Sequence, residues 1–305
     1  MAIADVRKAV PWWLRIGAKL VLARLPIPYG FWKRVRLFEH GDMNQPQRAM
    51  DIVLAHARAA GVIDDSARPP RFIRCAASFG VLELGPGDSL FSCLISKALG
   101  ASQSWLVDAG PFATTDVASY MALSDFLQHK GYPGPLTSPP DNLAAVLTQC
   151  NSAYLTTGTQ SLPSLPPASI DFCFSNAVLE HVPKDEFPKL ADELMRLMKP
   201  DGVCLHRVDL KDHLGGGLNN LRFSAAIWEG PIFRDSGFYT NRIRFREMVR
   251  IFEQAGFACA LPRISRWDDL PLPRARLDAS FRALAQEDLL VNGFDIVLRR
   301  KKVSS

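Results

Sequence analysis

Two hydrophobic periods alternate along most of the chain. Short apolar runs at 79–84, 104–107, 153–155, 170–175, 203–208, 257–264 and 292–298 predict strands. Between them, stretches with apolar residues three and four apart predict helices at 89–99, 115–130, 141–149, 184–198 and 243–255, several closed by glycine (Gly100, Gly131, Gly256). Ahead of this region, 44–61 predicts a helix with Met50, Ile52, Val53 and Ala57 inward, and 11–25 another, with Pro11 in its first turn and Pro26 at its end. Residues 62–72 hold Asp64, Asp65, Pro69 and Pro70 and read as a linker. Strands separated by helices predict a doubly wound, mainly parallel α/β sheet, here residues 71–300, preceded by a basic helical extension over 1–70.

Charge changes the picture at the two ends. Residues 1–40 carry eight Lys/Arg against Asp5 and Glu39, a local +6, and the tail Arg299–Lys302 adds +4, so a total of +5 leaves the body at −5. Trp12, Trp13, Ile16, Leu20 and Val21 beside Arg15 and Lys19 suit a helix lying on a membrane surface through residues 1–40; packing on the core or a partner is the alternative. Arg15, Lys19 and Arg24 interrupt that stretch, so neither a spanning helix nor a cleaved leader is expected. Basic residues gathered at the ends, with no dense Arg/Lys–aromatic run in the body, disfavour a nucleic-acid partner. The six cysteines show no CxxC pair and no metal-finger spacing, which points to buried thiols and a reducing, cytoplasmic setting.

Chemistry concentrates in Glu83-Leu84-Gly85-Pro86-Gly87-Asp88-Ser89, which leaves a strand, turns on two glycines and enters a helix. Asp108 ends the next strand, 21 residues after Gly87, where an acidic group accepts both ribose hydroxyls of a bound nucleoside. The third glycine of a dinucleotide fingerprint falls at Leu90, and no Gly-Lys-Ser/Thr follows the turn, which argues against NAD and against a P-loop.

Together with IDFCFSNAVLEHV at 170–182 and KLADELMRLMKPDGVCLHRVDL at 189–210, these motifs resemble class I S-adenosylmethionine-dependent methyltransferases over about residues 79–260. The resemblance implies a seven-stranded Rossmann-like sheet with its last strand antiparallel, and S-adenosylmethionine (SAM) as cofactor. It implies that Glu83, Gly85 and Gly87 line the methionine end, that Asp108 holds the ribose, and that Asn176 borders the cofactor. Where many relatives show an acidic residue beside the adenine this chain has Tyr154-Leu-Thr-Thr157-Gly158, which leaves only Thr157 and Gly158 as candidates there.

A hydroxyl acceptor needs a base. Glu180-His181 follows the fourth strand, and Asp209, Asp212 and His213 follow the fifth, at the carboxyl ends where such sheets bind ligands. His181, Asp209 and His213 are therefore the catalytic candidates, with His181 first as base. Asp209, Asp212 and His213 as cation ligands is the weaker alternative, and no metal is expected. Residues 211–246 read as a substrate lid, with Gly215-Gly216-Gly217 as a loop and Asp212, Asn219, Asn220, Arg222, Trp228, Tyr239, Asn241, Arg242 and Arg244 offering polar and aromatic groups; Asp212, Arg222, Trp228, Asn241 and Arg242 are the substrate-binding candidates. The expected reaction is methylation of a polar acceptor, a hydroxyl of a saccharide or lipid-linked glycan. Alternatives are N- or C-methylation of a small metabolite, or a noncatalytic SAM-binding subunit that docks on a partner.

Overall fold

The computed structural model describes residues 44–73 and 78–301, together with Gly17. The expected helix at 11–25 and the Lys/Arg cluster of residues 1–40 lie outside the described residues, Gly17 apart.

In chain order, α1 (Pro46–Ala59) leads into a two-stranded antiparallel pair, β1 (Ile63–Asp64) and β2 (Arg71–Phe72). Next come β3 (Gly80–Leu84), α2 (Phe91–Ala98), β4 (Gln103–Val107), α3 (Val117–His129), α4 (Leu143–Gln149) and β5 (Ser152–Leu155). The second half holds β6 (Ile170–Asn176), α5 (Phe187–Leu197) and β7 (Met198–Asp209). After two single-turn helices, α6 (Ala225–Trp228) and α7 (Pro231–Arg234), come α8 (Phe245–Gln254) and β8 (Phe257–Arg266). Two more short helices, α9 (Ala279–Arg282) and α10 (Gln286–Leu290), precede β9 (Val291–Arg300).

The main sheet has seven strands in the order β5-β4-β3-β6-β7-β9-β8. β5 through β7 are parallel, and β9 runs antiparallel to both neighbours. The order reverses between β3 and β6, and an open parallel sheet has its ligand crevice at such a reversal, beyond the carboxyl ends of the strands. The expected Rossmann-like topology is therefore present.

Strand alternation builds a core on each face. Val81, Leu106, Phe172, Phe174, Val203 and Leu205 point to one side, where α1, α2 and α3 cover them. Leu82, Val107, Cys173, Cys204 and Val208 point to the other, against α5 and α8. In α5, Phe187, Leu190, Ala191, Leu194 and Leu197 are buried at helical spacing, so the period that predicts the helix also docks it.

Three local expectations differ. The supposed linker at 62–72 forms the β1–β2 pair, with Phe72 buried on Phe79 at 4.3 Å between ring centroids. Helix α1, assigned from the sequence to the extension, contributes Ala49, Met50, Val53, Leu54 and Ala57 to the same apolar cluster as the sheet, with Ile52 only half-buried. Finally, β7 begins at Met198, and the Lys-Pro-Asp-Gly turn sits in a register break between Ile170–Met198 and Phe172–Val203. The described cysteines are free, and Cys93, Cys150, Cys173 and Cys204 are buried, as expected for packed thiols.

Candidate functional site at the sheet reversal

The turn after β3 is held from both sides. Gly85 and Gly87 have φ of +67° and +69°, the left-handed region that favours glycine. The Gly85 amide donates to the Val107 carbonyl at 2.8 Å, and the Gly87 amide donates to the Asp108 carboxylate at 2.9 Å. The Ala109 amide also donates to Asp108, at 2.7 Å, so this carboxylate sits at the mouth of the turn with two backbone donors orienting it. The Gly158 amide donates to the Asp108 carbonyl at 2.8 Å, which places the Thr157–Gly158 segment on the same rim.

Glu83 is buried at the end of β3 and accepts a hydrogen bond from the Ser92 hydroxyl. Burial pushes its carboxyl up to about 8, and the nearby Asp108 charge adds to that rise while Ser92 opposes it. A cationic ligand is the natural partner for such a group. Asn176 is the last residue of β6, half-buried, across the reversal from the Leu84 end of β3.

A second cluster stands beside the turn. A β-carbon on Gly85 would collide with the Val178 side chain, so the segment after β6 passes directly against the glycine turn. Residues Leu179–His181 make one tight turn there. Asn241 fastens that turn: its side-chain amide donates to the Leu179 and Val182 carbonyls at 2.8 Å each, and its backbone amide donates to the Glu180 carbonyl at 2.7 Å. His181 Nδ1 lies 2.8 Å from the Tyr239 carbonyl. A carbonyl only accepts, so Nδ1 carries the hydrogen and Nε2 carries the lone pair. The His213 ring meets the His181 ring edge-on at 4.8 Å between centroids. Glu180 is 1% exposed; one carboxylate oxygen takes the Asp209 amide at 3.3 Å, and the other, Oε2, has no hydrogen-bond partner. Burial pushes the Glu180 carboxyl up to about 8, reinforced by the Asp209 carboxylate. Asp209 itself pairs with Lys211 at 3.4 Å.

The structure thus brings together Glu83, Gly85, Gly87 and Asp108 in one group and His181, His213 and Glu180 in another, with Asp209 bonded to the second. It does not bring Asp212 there. That carboxylate is 2% exposed and accepts from the amides of Leu214, Gly216 and Asn219 and from the Asn219 side chain, so it organises the glycine loop and is spent inside it. The alternative ligand set of Asp209, Asp212 and His213 is corrected with it.

Three more substrate candidates are structural. Trp228 is fully buried, donates from Nε1 to the Thr240 carbonyl at 2.7 Å, and stacks with Phe223 and Phe233. Arg242 is 6% exposed, donates to the Phe223 carbonyl and Glu229, and lies over the Trp228 and Phe281 rings. Asn241 spends its amide on the turn described above. Arg244 is likewise internal, donating to the carbonyls of Leu210, Asp288, Leu289 and Val291. Arg222 is the substrate candidate that stays partly exposed; burial lowers its pKa, and neighbouring Arg276 lowers it further. Sequence reasoning also missed residues 267–290, whose Leu272, Leu277, Phe281 and Leu289 pack with Leu218 and Leu221 of the segment 211–246.

The donor set decides what the first group fits. Two carboxylates converge on a glycine turn that contains no Lys or Arg between residues 83 and 90. That is wrong for a pyrophosphate and right for SAM, which presents an ammonium, a sulfonium and two ribose hydroxyls. A methyltransferase-domain family matches residues 47–261. No curated protein matches the sequence significantly. Among solved structures, the chain is similar to the CurJ carbon methyltransferase (12% identity, 74% of this chain, TM-score 0.38), of which it spans 50%. It is also similar to a SAM-dependent methyltransferase from Archaeoglobus fulgidus (12% identity, 85% of this chain and 97% of that one, TM-score 0.41). A third similarity is to Burkholderia thailandensis 1,6-didemethyltoxoflavin-N1-methyltransferase (13% identity, 85% and 80%, TM-score 0.42). The match over residues 47–261 covers both the glycine turn and the His181 turn, and the chain belongs to the family of SAM-dependent methyltransferases.

Proposed function

We propose that the protein methylates a hydroxyl of a polar acceptor, a saccharide or lipid-linked glycan, with His181 taking the proton. The observation that carries this reading is the orientation of His181: the Tyr239 carbonyl holds Nδ1–H and turns the basic Nε2 away, on the turn that abuts Gly85. A hydroxyl becomes nucleophilic only as its proton leaves, so a fixed imidazole beside the cofactor turn suits O-methylation. SAM supplies an electrophilic methyl group on a sulfonium. Glu83, Gly85 and Gly87 take its methionine end, Asp108 its ribose, and Asn176 borders it. The chain's remaining work is alignment and exclusion of water.

Support for the acceptor class comes from the lid surface. Arg222 and Arg276 are close enough to lower the Arg222 pKa, and such a basic pair suits polyhydroxyl or anionic groups. Ile227 and Ile232, on α6 and α7, are 52% and 55% exposed and offer apolar contact to a lipid carrier. No helix among the described residues is long and apolar enough to cross a membrane. Contact with a membrane surface is assigned to the basic residues 1–40, in a cytoplasmic protein.

The test is transfer of labelled methyl from SAM to a saccharide-lipid extract by wild type and His181→Ala. The expected result is a labelled methyl ether, with the rate lowered by about 10²–10⁴-fold in the variant and SAM affinity unchanged. Label appearing on nitrogen or carbon, or a variant as fast as wild type, contradicts the reading.

A further inference from the structure

The acceptor-side cluster has the composition of a cation site. One carboxylate oxygen of Glu180, one nitrogen of His181 and one of His213 all lie within 4.8 Å of one another. We propose that Glu180, His181 and His213 bind a divalent transition-metal cation of the zinc class.

Four observations carry this. First, Glu180 Oε2 is buried and has no hydrogen-bond partner, although a carboxylate oxygen removed from water without one is costly. A cation answers that cost directly. Second, His181 is set as a metal-bound imidazole is: its Nδ1–H is held by a backbone carbonyl at 2.8 Å, so Nε2 is the nitrogen that would serve as ligand. Third, two imidazoles with one carboxylate form a borderline donor set, suited to zinc, cobalt, iron or manganese rather than to calcium or magnesium. Fourth, the charge balance is favourable. The Asp209 carboxylate adds to the negative charge near Glu180, and the ion pair of Lys211, at 3.4 Å, is with Asp209, so Glu180 has no ion pair of its own among the described residues.

Bonds of about 2.0–2.2 Å place ligand atoms roughly 3–3.5 Å apart, so the three groups need only close by small side-chain rotations. His213 is half-buried on the loop ahead of Gly215, with its ring edge-on to that of His181. Three protein ligands leave coordination positions open, as in catalytic rather than structural sites. On the acceptor-site reading above, which this part of the inference rests on, those positions take oxygen atoms of the acceptor, and a vicinal diol would chelate. With the cation bound, the Nε2 lone pair serves the cation, and the cation takes over the task given to His181 in the metal-free protein by lowering the pKa of a bound hydroxyl so that its proton passes to water. The second such group among the described residues, Cys173, Cys204 and His206, is wholly buried between the sheet and α8, where His206 stacks on Phe252 and no open position faces the crevice.

The experiment is titration of the full chain, stripped with a chelator, by Co²⁺ followed in the visible spectrum, and by Zn²⁺ in calorimetry. SAM is titrated into the same samples. The expected result is one equivalent bound, with a cobalt spectrum that Zn²⁺ displaces. In Glu180→Gln, which keeps the side-chain shape, and in His213→Ala, at a half-buried position, affinity falls by more than about 100-fold, beyond the range of changes outside the ligand shell. SAM affinity is the same in all three proteins. Absence of saturable binding, or binding equal in wild type and both variants, overturns the proposal. SAM bound without any cation overturns the cation site alone. A cation bound without SAM supports the site and contradicts the methyl-transfer reading.

Discussion

At the scale of single residues, Glu83 at the end of β3 and Glu180 after β6 are buried carboxyls, and their titration is a consequence of where the fold puts them. Glu83 is buried in the strand end, and its folded value near 8 lies above the usual carboxyl range. For a raised acid the sign is definite. The folded protein holds a proton that the unfolded chain has lost, so the stability linked to Glu83 is full below about pH 4.5 and falls as pH rises to about 8. The expected slope is about 1.4 kcal/mol per pH unit in that window. Glu83→Gln removes the titration, so its stability relative to wild type should improve steadily from pH 5 to pH 8, measured by denaturant unfolding; a difference independent of pH contradicts the account. That Glu83, Gly85, Gly87 and Asp108 meet at one turn was legible in the sequence because the strand-turn-helix spacing is local. Asp212, Trp228, Asn241 and Arg242 were misread because a polar side chain that ties down its own loop looks the same, in sequence, as one offered to a substrate. Glu180 shows the converse: its burial comes from Asp209 and the Asn241 contacts, which are distant along the chain.

At the scale of elements, helices and strands with several turns or ladder pairs were legible, since one period both forms and buries them. Short elements were not. The β1–β2 pair has two residues per strand, and α9 and α10 have four and five, too few for a period to show. The segment 211–246 is likewise built from short pieces, held by one aromatic group of Trp228, Phe223, Phe233, Phe238 and Tyr239. Trp228→Ala should therefore cost about 3–5 kcal/mol within this unit. Hydrogen exchange should show protection lost over residues 214–240 and kept in β3 and β6, with SAM affinity retained. Protection lost equally through the sheet would mean that this segment is not a separate unit.

At the scale of the whole molecule, the reversal of strand order between β3 and β6 puts the glycine turn and the His181 turn side by side. The basic tail has a different use from the one its charge suggests. Arg299 donates to the Ala60 carbonyl at 2.7 Å, Arg300 to Met195 at 2.5 Å and Lys301 to Glu253 at 2.8 Å, so these cations meet the carboxyl ends of α1, α5 and α8, where the helix dipole favours positive charge. The membrane contact proposed above therefore rests on residues 1–40 alone. Vesicles containing anionic lipid should bind the full chain in a salt-sensitive way, and deletion of 1–40 should abolish sedimentation with them; undiminished sedimentation after the deletion contradicts that assignment. The central claim is that the crevice binds SAM through Asp108. Isothermal titration of the folded protein and of Asp108→Ala with SAM and S-adenosylhomocysteine tests it most directly. The account predicts binding of both ligands by wild type and at least about tenfold weaker binding by the variant, the loss of roughly one charged hydrogen bond. A folded protein that binds neither ligand, or a variant that binds as wild type does, contradicts it.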